Sequence, residues 1–177
     1  FYIITEFSKQ TRIFKRGKIS SGNVLNNLLE NYSVGILTLS VRKSTYDMVG
    51  GFSSDYHIIG DLDLVIKLAK KGKMGSFQEP LAVCRKDGNN ESILKVEMYI
   101  EELKKWYKKN SDSYKKSNIK SIKAFYSSIL YKEYNFHINN NSFSFAMLLS
   151  AFKKLSLKNV LKIIIKIFIK KITGVRV

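Results

Sequence analysis

Two aspartates stand two residues apart in Gly60-Asp61-Leu62-Asp63-Leu64, inside the stretch HIIGDLDLVIKLAKKGKMG from His57 to Gly75. Carboxylates at that spacing admit three roles. At a helix start they are stabilised by free backbone N–H groups and the helix dipole, typically by several tenths to ~1 kcal/mol. As an Asp-x-Asp pair they could hold a divalent cation. One of them could instead take a proton in a reaction. Residues two apart on a helix point to different sides, which argues against a cation site made of Asp61 and Asp63 alone. Other reactive residues are sparse. The single cysteine, Cys84, lies in the apolar run PLAVCR and reads as a small buried hydrophobe, and one cysteine cannot form an internal disulfide. The two histidines, His57 and His137, are far apart, and no Cys/His cluster has zinc spacing.

The elements that must position these aspartates follow from the apolar pattern. The segment Asp61–Lys71 reads as a helix with Leu62, Val65, Leu68 and Ala69 on one face and Gly72 to end it. Before it, FYIITEF and TRIFKR read as two short strands joined by a polar turn at Ser8–Gln10. SSGNVLNNLLENY has helical spacing. VGILTLSVRK, Val34 to Lys43, is a nearly continuous apolar run that reads as a buried strand. Gly50-Gly51 marks a turn, and MGSFQEPLAVCRK reads as strand-like segments around the sole proline, Pro80. Past Gly88 the pattern becomes helical. One helix runs from Ser92 to Asn110, capped by Ser92 or Asn90, and ends in a Lys/Ser/Asn linker to Asn118. A second carries Ile119, Ile122, Tyr126, Ile129 and Leu130, NFHINNNS is a loop, and two more helices cover about Phe143–Lys153 and Ser156–Ile172. The chain of 177 residues opens on Phe1 in an apolar run with no signal-peptide pattern, and we read it as cut from something longer.

The order of these pieces carries a resemblance. An apolar strand ends in Arg42-Lys43, and then come a short helix, Gly50-Gly51-Phe52, a loop, the acidic helix start, Lys71-Gly72, and a strand ending in Arg85. This series, most specific from Gly35 to Ser92, resembles family 2 glycosyltransferases of the inverting, bacterial surface-polysaccharide kind. The resemblance implies an α/β fold: residues 1–92 as the C-terminal, acceptor-side part of a GT-A-like domain, followed by an all-helical basic region over 93–177. It implies that Asp61 is the general base that deprotonates the acceptor hydroxyl. Family members often carry Glu just before this Asp, where this chain has Gly60. Asp63 matches a frequently acidic position read as structural. Arg85 matches an Arg that contacts the donor diphosphate, and Asp87 stands where a metal-binding His is usual. Asp87 could serve Mg²⁺ or Mn²⁺ as a harder ligand, or belong to an ordinary Asp-Gly turn. Tyr56 and His57, in the loop before Asp61, could stack on an acceptor sugar or pack. The donor-nucleotide half with its own Asp-x-Asp does not precede Asp61 here, so the divalent cation is expected mainly on residues missing from this chain.

Charge sorts the remaining possibilities. Residues 1–92 hold 13 Lys+Arg and 9 Asp+Glu, whereas 93–177 hold 18 and 5, so most of the net +17 lies in the second part. In KKLSLKNVLKIIIKIFIKKITG, Lys154, Lys158, Lys162, Lys166 and Lys170 recur every four residues. Four residues turn a helix by about 400°, so they form a slowly drifting stripe. The lysines interrupt the apolar run, so a spanning helix of ~20 apolar residues is not supported, and an interfacial helix on anionic lipid fits better. A helix packed on its neighbours with a solvated lysine face has the same pattern. Nucleic acid is disfavoured, because the tail lacks Arg-rich groove readers and aromatic–basic strands. The expectation is an inverting transferase fragment with a nucleotide-sugar donor and a glycan or lipid-linked acceptor. Its place is the cytoplasm, peripheral to the inner face of the cell membrane. The alternative is a non-catalytic membrane- or polyanion-binding protein built on a decayed transferase half.

Overall fold

The computed structural model describes residues 2–5, 10–13, 17–86, 90–115 and 118–174. Among them, α3 (Gly60–Lys71) is the helix that carries the paired aspartates, and it lies within the main hydrophobic cluster. It carries Asp61 and Asp63 in its first turn and Lys70 and Lys71 in its last, in agreement with the helix dipole. Leu62, Leu64, Val65, Ile66, Leu68 and Ala69 are all buried, so the helix is covered on most of its circumference. Three elements supply that cover. They are α1 (Leu25–Glu30), α5 (Val96–Lys115) and α6 (Ile119–Asn139). Leu28 and Leu29 of α1, Leu103, Trp106 and Tyr114 of α5, and Ile122, Phe125 and Ile129 of α6 form one hydrophobic cluster with α3. The core therefore draws on residues from both sides of position 92.

A second cluster forms where the far half of α6 meets α7 (Phe145–Lys154) and α8 (Leu157–Thr173). It contains Leu130, Tyr134, Ile138, Ala151, Leu155, Val160 and Ile163. Ser144 caps α7 by accepting the Met147 N–H at 3.3 Å, and Ser156 caps α8 by accepting that of Asn159 at 3.4 Å. Gly174, at φ 65°, closes α8 in the left-handed conformation that favours glycine. Lys170 of the expected lysine stripe turns back to the end of α6 and donates to the Ile138 carbonyl and, at 2.6 Å, to that of Asn139. A cation there satisfies carbonyls that the helix leaves unpaired.

The strands are short. β1 (Tyr2–Thr5) pairs antiparallel with β2 (Gln10–Ile13) and parallel with β3 (Val83–Lys86), in the order β2-β1-β3. The expected α/β, GT-A-like architecture is thus corrected: the chain is mostly helical, and its helices pack on one another and not on a layered sheet. The physical reason lies in Val34–Lys43. A strand needs a neighbour for its N–H and C=O groups, and among the described residues none pairs with this run. It forms only a 3₁₀ turn at Ile36–Thr38, and Ile36, Leu37 and Val41 are exposed.

The helical expectations need smaller corrections. The segment after Gly88 is divided into α4 (Glu91–Leu94) and a longer α5, which continues past Asn110. The expected loop NFHINNNS is helical through Asn139. The expected turn at Ser8–Gln10 falls mainly outside the described residues.

Candidate functional site around Asp61

The loop ahead of α3 begins at a glycine pair that ends α2 (Lys43–Met48). Gly50 and Gly51 have φ of 77° and 59°. A Cβ on Gly51 would lie 2.6 Å from Cζ of Tyr46. The Tyr46 hydroxyl accepts the Phe52 N–H at 3.2 Å, and the Gly51 carbonyl accepts from Lys67 Nζ at 2.9 Å. The turn is therefore folded over Tyr46 and tied to α3. Gly51→Ala is expected to cost about 2 kcal/mol or more, from left-handed strain plus the clash. Chemical denaturation would read this as a lower midpoint.

Lys67 joins the turn to a buried carboxylate. Asp63 is 5% exposed; one oxygen accepts Trp106 Nε1–H at 2.9 Å, and the other lies 2.9 Å from Lys67 Nζ in an ion pair without aligned hydrogen-bond geometry. Asp63 thereby holds α3 to α5 and has no open side for a ligand. The structural role expected for Asp63 agrees with this placement.

Three successive N–H groups end the loop. His57, Ile58 and Ile59 all donate to the Glu102 carboxylate of α5, at 2.7, 2.9 and 3.0 Å. Two further α5 residues hold the loop at Asp55: Lys105 donates to its carbonyl at 3.2 Å, and Lys109 pairs with its carboxylate at 2.6 Å. Glu102, Lys105 and Lys109 recur at i, i+3 and i+7, one polar face of α5. That face was not among the expected site residues, because the Glu102 partners are backbone N–H groups and not side chains. Burial opposes ionisation of Glu102, but the three N–H donors outweigh it and hold its carboxyl below the usual glutamate range. A lowered folded-state pKa contributes stability that is present above the unfolded value and lost as pH falls through the folded one. Glu102→Gln is expected to cost about 1.5 kcal/mol, the lower end for bonds to a charged group, because the side chain is only half-buried. The difference from the parent chain, followed by thermal melting, should shrink below pH 5 as both carry a neutral side chain.

Asp61 occupies the end of this arrangement. Its carboxylate accepts the Leu62 N–H at 2.7 Å at the start of α3. Beside it lie Tyr32 and Tyr99, both packed on the main core. The Tyr32 hydroxyl is buried and couples electrostatically to the carboxylate, although it completes no hydrogen bond of good geometry. Burial raises the Asp61 pKa above the usual aspartate range, and the Leu62 N–H and Tyr32 offset only part of that rise. Tyr32 and Tyr99 are both pushed up, first by burial and then by the Asp61 charge. The arrangement is a partly buried carboxylate with raised proton affinity, on a rigid helix, beside two phenols.

The other expected site residues are dispersed. Tyr56 is buried in the main core with Lys105 Nζ 5.6 Å from its ring centre, so it packs. His57 is exposed, and its Nε2 lies 2.8 Å from the Glu91 carboxylate. Arg85 lies in β3, where its backbone is in register with Ile4. Asp87 lies outside the described residues. Asp61 and Asp63 face apart, and no three His, Cys, Asp or Glu side chains converge among the described residues. Those residues do not by themselves fit a divalent cation. Two surface recesses, of about 890 Å³ between α5, α6 and α7 and about 270 Å³ beside α1, are not lined by Asp61. No family model, curated protein or solved structure matches the chain.

Proposed function

We propose that the chain is a fragment of an inverting family 2 glycosyltransferase, with Asp61 as the base. The observation that carries this reading is the Asp61 environment. An inverting transfer needs a group that takes the acceptor hydroxyl proton as the oxygen attacks the anomeric carbon in line. A carboxylate that is partly desolvated binds that proton more strongly than one in water. Its fixed place on α3, with the preceding loop held by Glu102, limits its movement during the attack. The sequence order around it, Gly50-Gly51-Phe52 before and Lys71-Gly72 after, supports the same reading.

The donor would be a nucleotide-sugar and the acceptor a glycan or a lipid-linked sugar. Arg85 would face the donor diphosphate, and His57, exposed in the loop, would face the acceptor. A divalent cation would be held mainly by residues outside this chain. The location proposed is the cytoplasm, peripheral at the inner membrane face, in keeping with a lipid-linked acceptor. No helix among the described residues is long and apolar enough to cross a membrane.

Acceptor-dependent nucleotide release tests the reading. The upstream-extended protein and its Asp61→Asn variant would be compared on a panel of nucleotide-sugars with Mn²⁺ and membrane extract. Release that collapses in the variant supports the transferase, and equal release in both removes Asp61 as the base. The rival, a non-catalytic membrane-binding protein, draws on the lysine-flanked apolar surface of α7 and α8. It expects membrane binding with no release from either protein.

A further inference from the structure

Helix α8 has two apolar faces and uses only one inside the protein. Val160 and Ile163 are buried against α6 and α7. Leu157, Leu161, Ile164, Ile165, Phe168 and Ile172 are exposed by 38% to 69%. At 100° per residue these six fall within one sector of about 100°, centred about 120° from the buried pair, with Ile164 on the edge nearer to Val160. Helix α7 repeats the pattern: Phe145, Leu149 and Phe152, at i, i+4 and i+7, are each at least half exposed. Only Leu155 and Ser156 separate the two helices.

Charge selects the occupant of this surface. Residues 145–173 contain seven lysines and no acidic residue. Lys158, Lys162 and Lys166 step along one flank of the exposed apolar sector of α8, and Lys153 and Lys154 close α7. A second copy docked face to face would gather lysines without a counter-charge. Nucleic acid would take the lysines but leave Phe145, Phe152 and Phe168 in water. A bilayer with acidic headgroups meets both needs, since it accepts apolar side chains at the acyl boundary and binds the flanking ammonium groups. We infer that the exposed faces of α7 and α8 form one membrane-docking surface for anionic lipid. The inference rests on the peripheral placement proposed above and names the residues that would produce it.

Flotation of the 177-residue chain with zwitterionic vesicles, and with vesicles containing a third phosphatidylglycerol, tests it. Two variants accompany the parent: Ile165→Ser with Phe168→Ser, and Lys158, Lys162 and Lys166 all changed to Gln. All five positions lie outside the hydrophobic clusters, and emission from buried Trp106 reports whether each variant is folded. The parent is expected to float with acidic vesicles and far less with zwitterionic ones. The lysine variant should bind on the order of a hundredfold more weakly, at about fivefold for each charge. The apolar variant should lose about tenfold or more for each side chain withdrawn from the acyl boundary. Equal flotation of parent and both variants would overturn the assigned surface while leaving peripheral placement intact. No flotation of the parent would overturn both. A dimer in sedimentation that the apolar variant abolishes, without vesicle binding, would reassign the face to self-association. None of these outcomes bears on nucleotide release, so the transferase reading stands or falls separately.

Discussion

Asp61→Asn is expected to lower acceptor-dependent turnover by about two to four orders of magnitude, the usual range for loss of a positioned general base. Asparagine keeps the shape and can still accept the Leu62 N–H, so the start of α3 should survive. What is lost is the site for the proton. The same raised pKa makes a separate statement about stability. A carboxyl whose folded-state pKa lies above its unfolded value favours folding below the unfolded value, and that contribution is lost as pH rises through the folded one. At neutral pH the ionised, partly buried Asp61 is therefore a cost. The variant should melt at the same temperature as the parent or higher, while its activity collapses. In the parent, kcat/KM should rise with pH along an acidic limb displaced upward from the usual aspartate range. A variant that loses activity and stability together would point to a structural role. One that retains activity would place the base elsewhere.

Trp106→Ala is expected to be the most destabilising single change, by about 3–5 kcal/mol for a large aromatic removed from a core. Trp106 is 1% exposed and packs on Tyr114 and Phe125, with ring centres 6.0 and 5.1 Å away. Its indole also donates to buried Asp63, which would then keep only Lys67. Trp106→Phe retains most of the volume but not that donor, so its loss should be nearer about 1–3 kcal/mol. Against a total stability of about 5–15 kcal/mol for a domain, the alanine change removes a large share. Urea unfolding followed by circular dichroism reads both, and the tryptophan-free variants need no fluorescence. Because the cluster joins α1 and α3 to α5 and α6, the parent should unfold α3 and these later helices in one transition. Two well-separated transitions would mean that the α5–α6 contacts contribute little.

The sequence made α3 readable because its signals agree: aspartates first, apolar residues on a helical period, lysines and a glycine last. It also marked the turn at Gly50-Gly51 and the extents of α7 and α8 to within two residues. Val34–Lys43 misled because apolar content was taken for burial, whereas a strand also requires a partner edge. The segments Ser111–Lys115 and Asn135–Asn139 look like linkers, yet both are helical. Tyr114 stacks on Trp106 in the first, and Ile138 enters the second cluster in the other. Tertiary packing outweighs weak helix propensity at these points. Asp61 could be selected from local sequence, but Glu102 could not. Its partners are backbone N–H groups more than forty residues away, which leave no mark in residue type.

The parallel pairing of β1 with β3 has a kinetic consequence. Tyr2 stands opposite Val83, so the pairing closes a loop of about eighty residues, whose entropic cost precedes any hydrogen bond gained. The contacts between α5 and α6 close a far shorter loop and can form on the fast timescale of helical hairpins. During synthesis β1 leaves the ribosome well before β3 and must wait for it before this edge can be covered. Until the pairing forms, this edge of β1 keeps its backbone groups unpaired within the sheet, whereas the helices satisfy theirs locally.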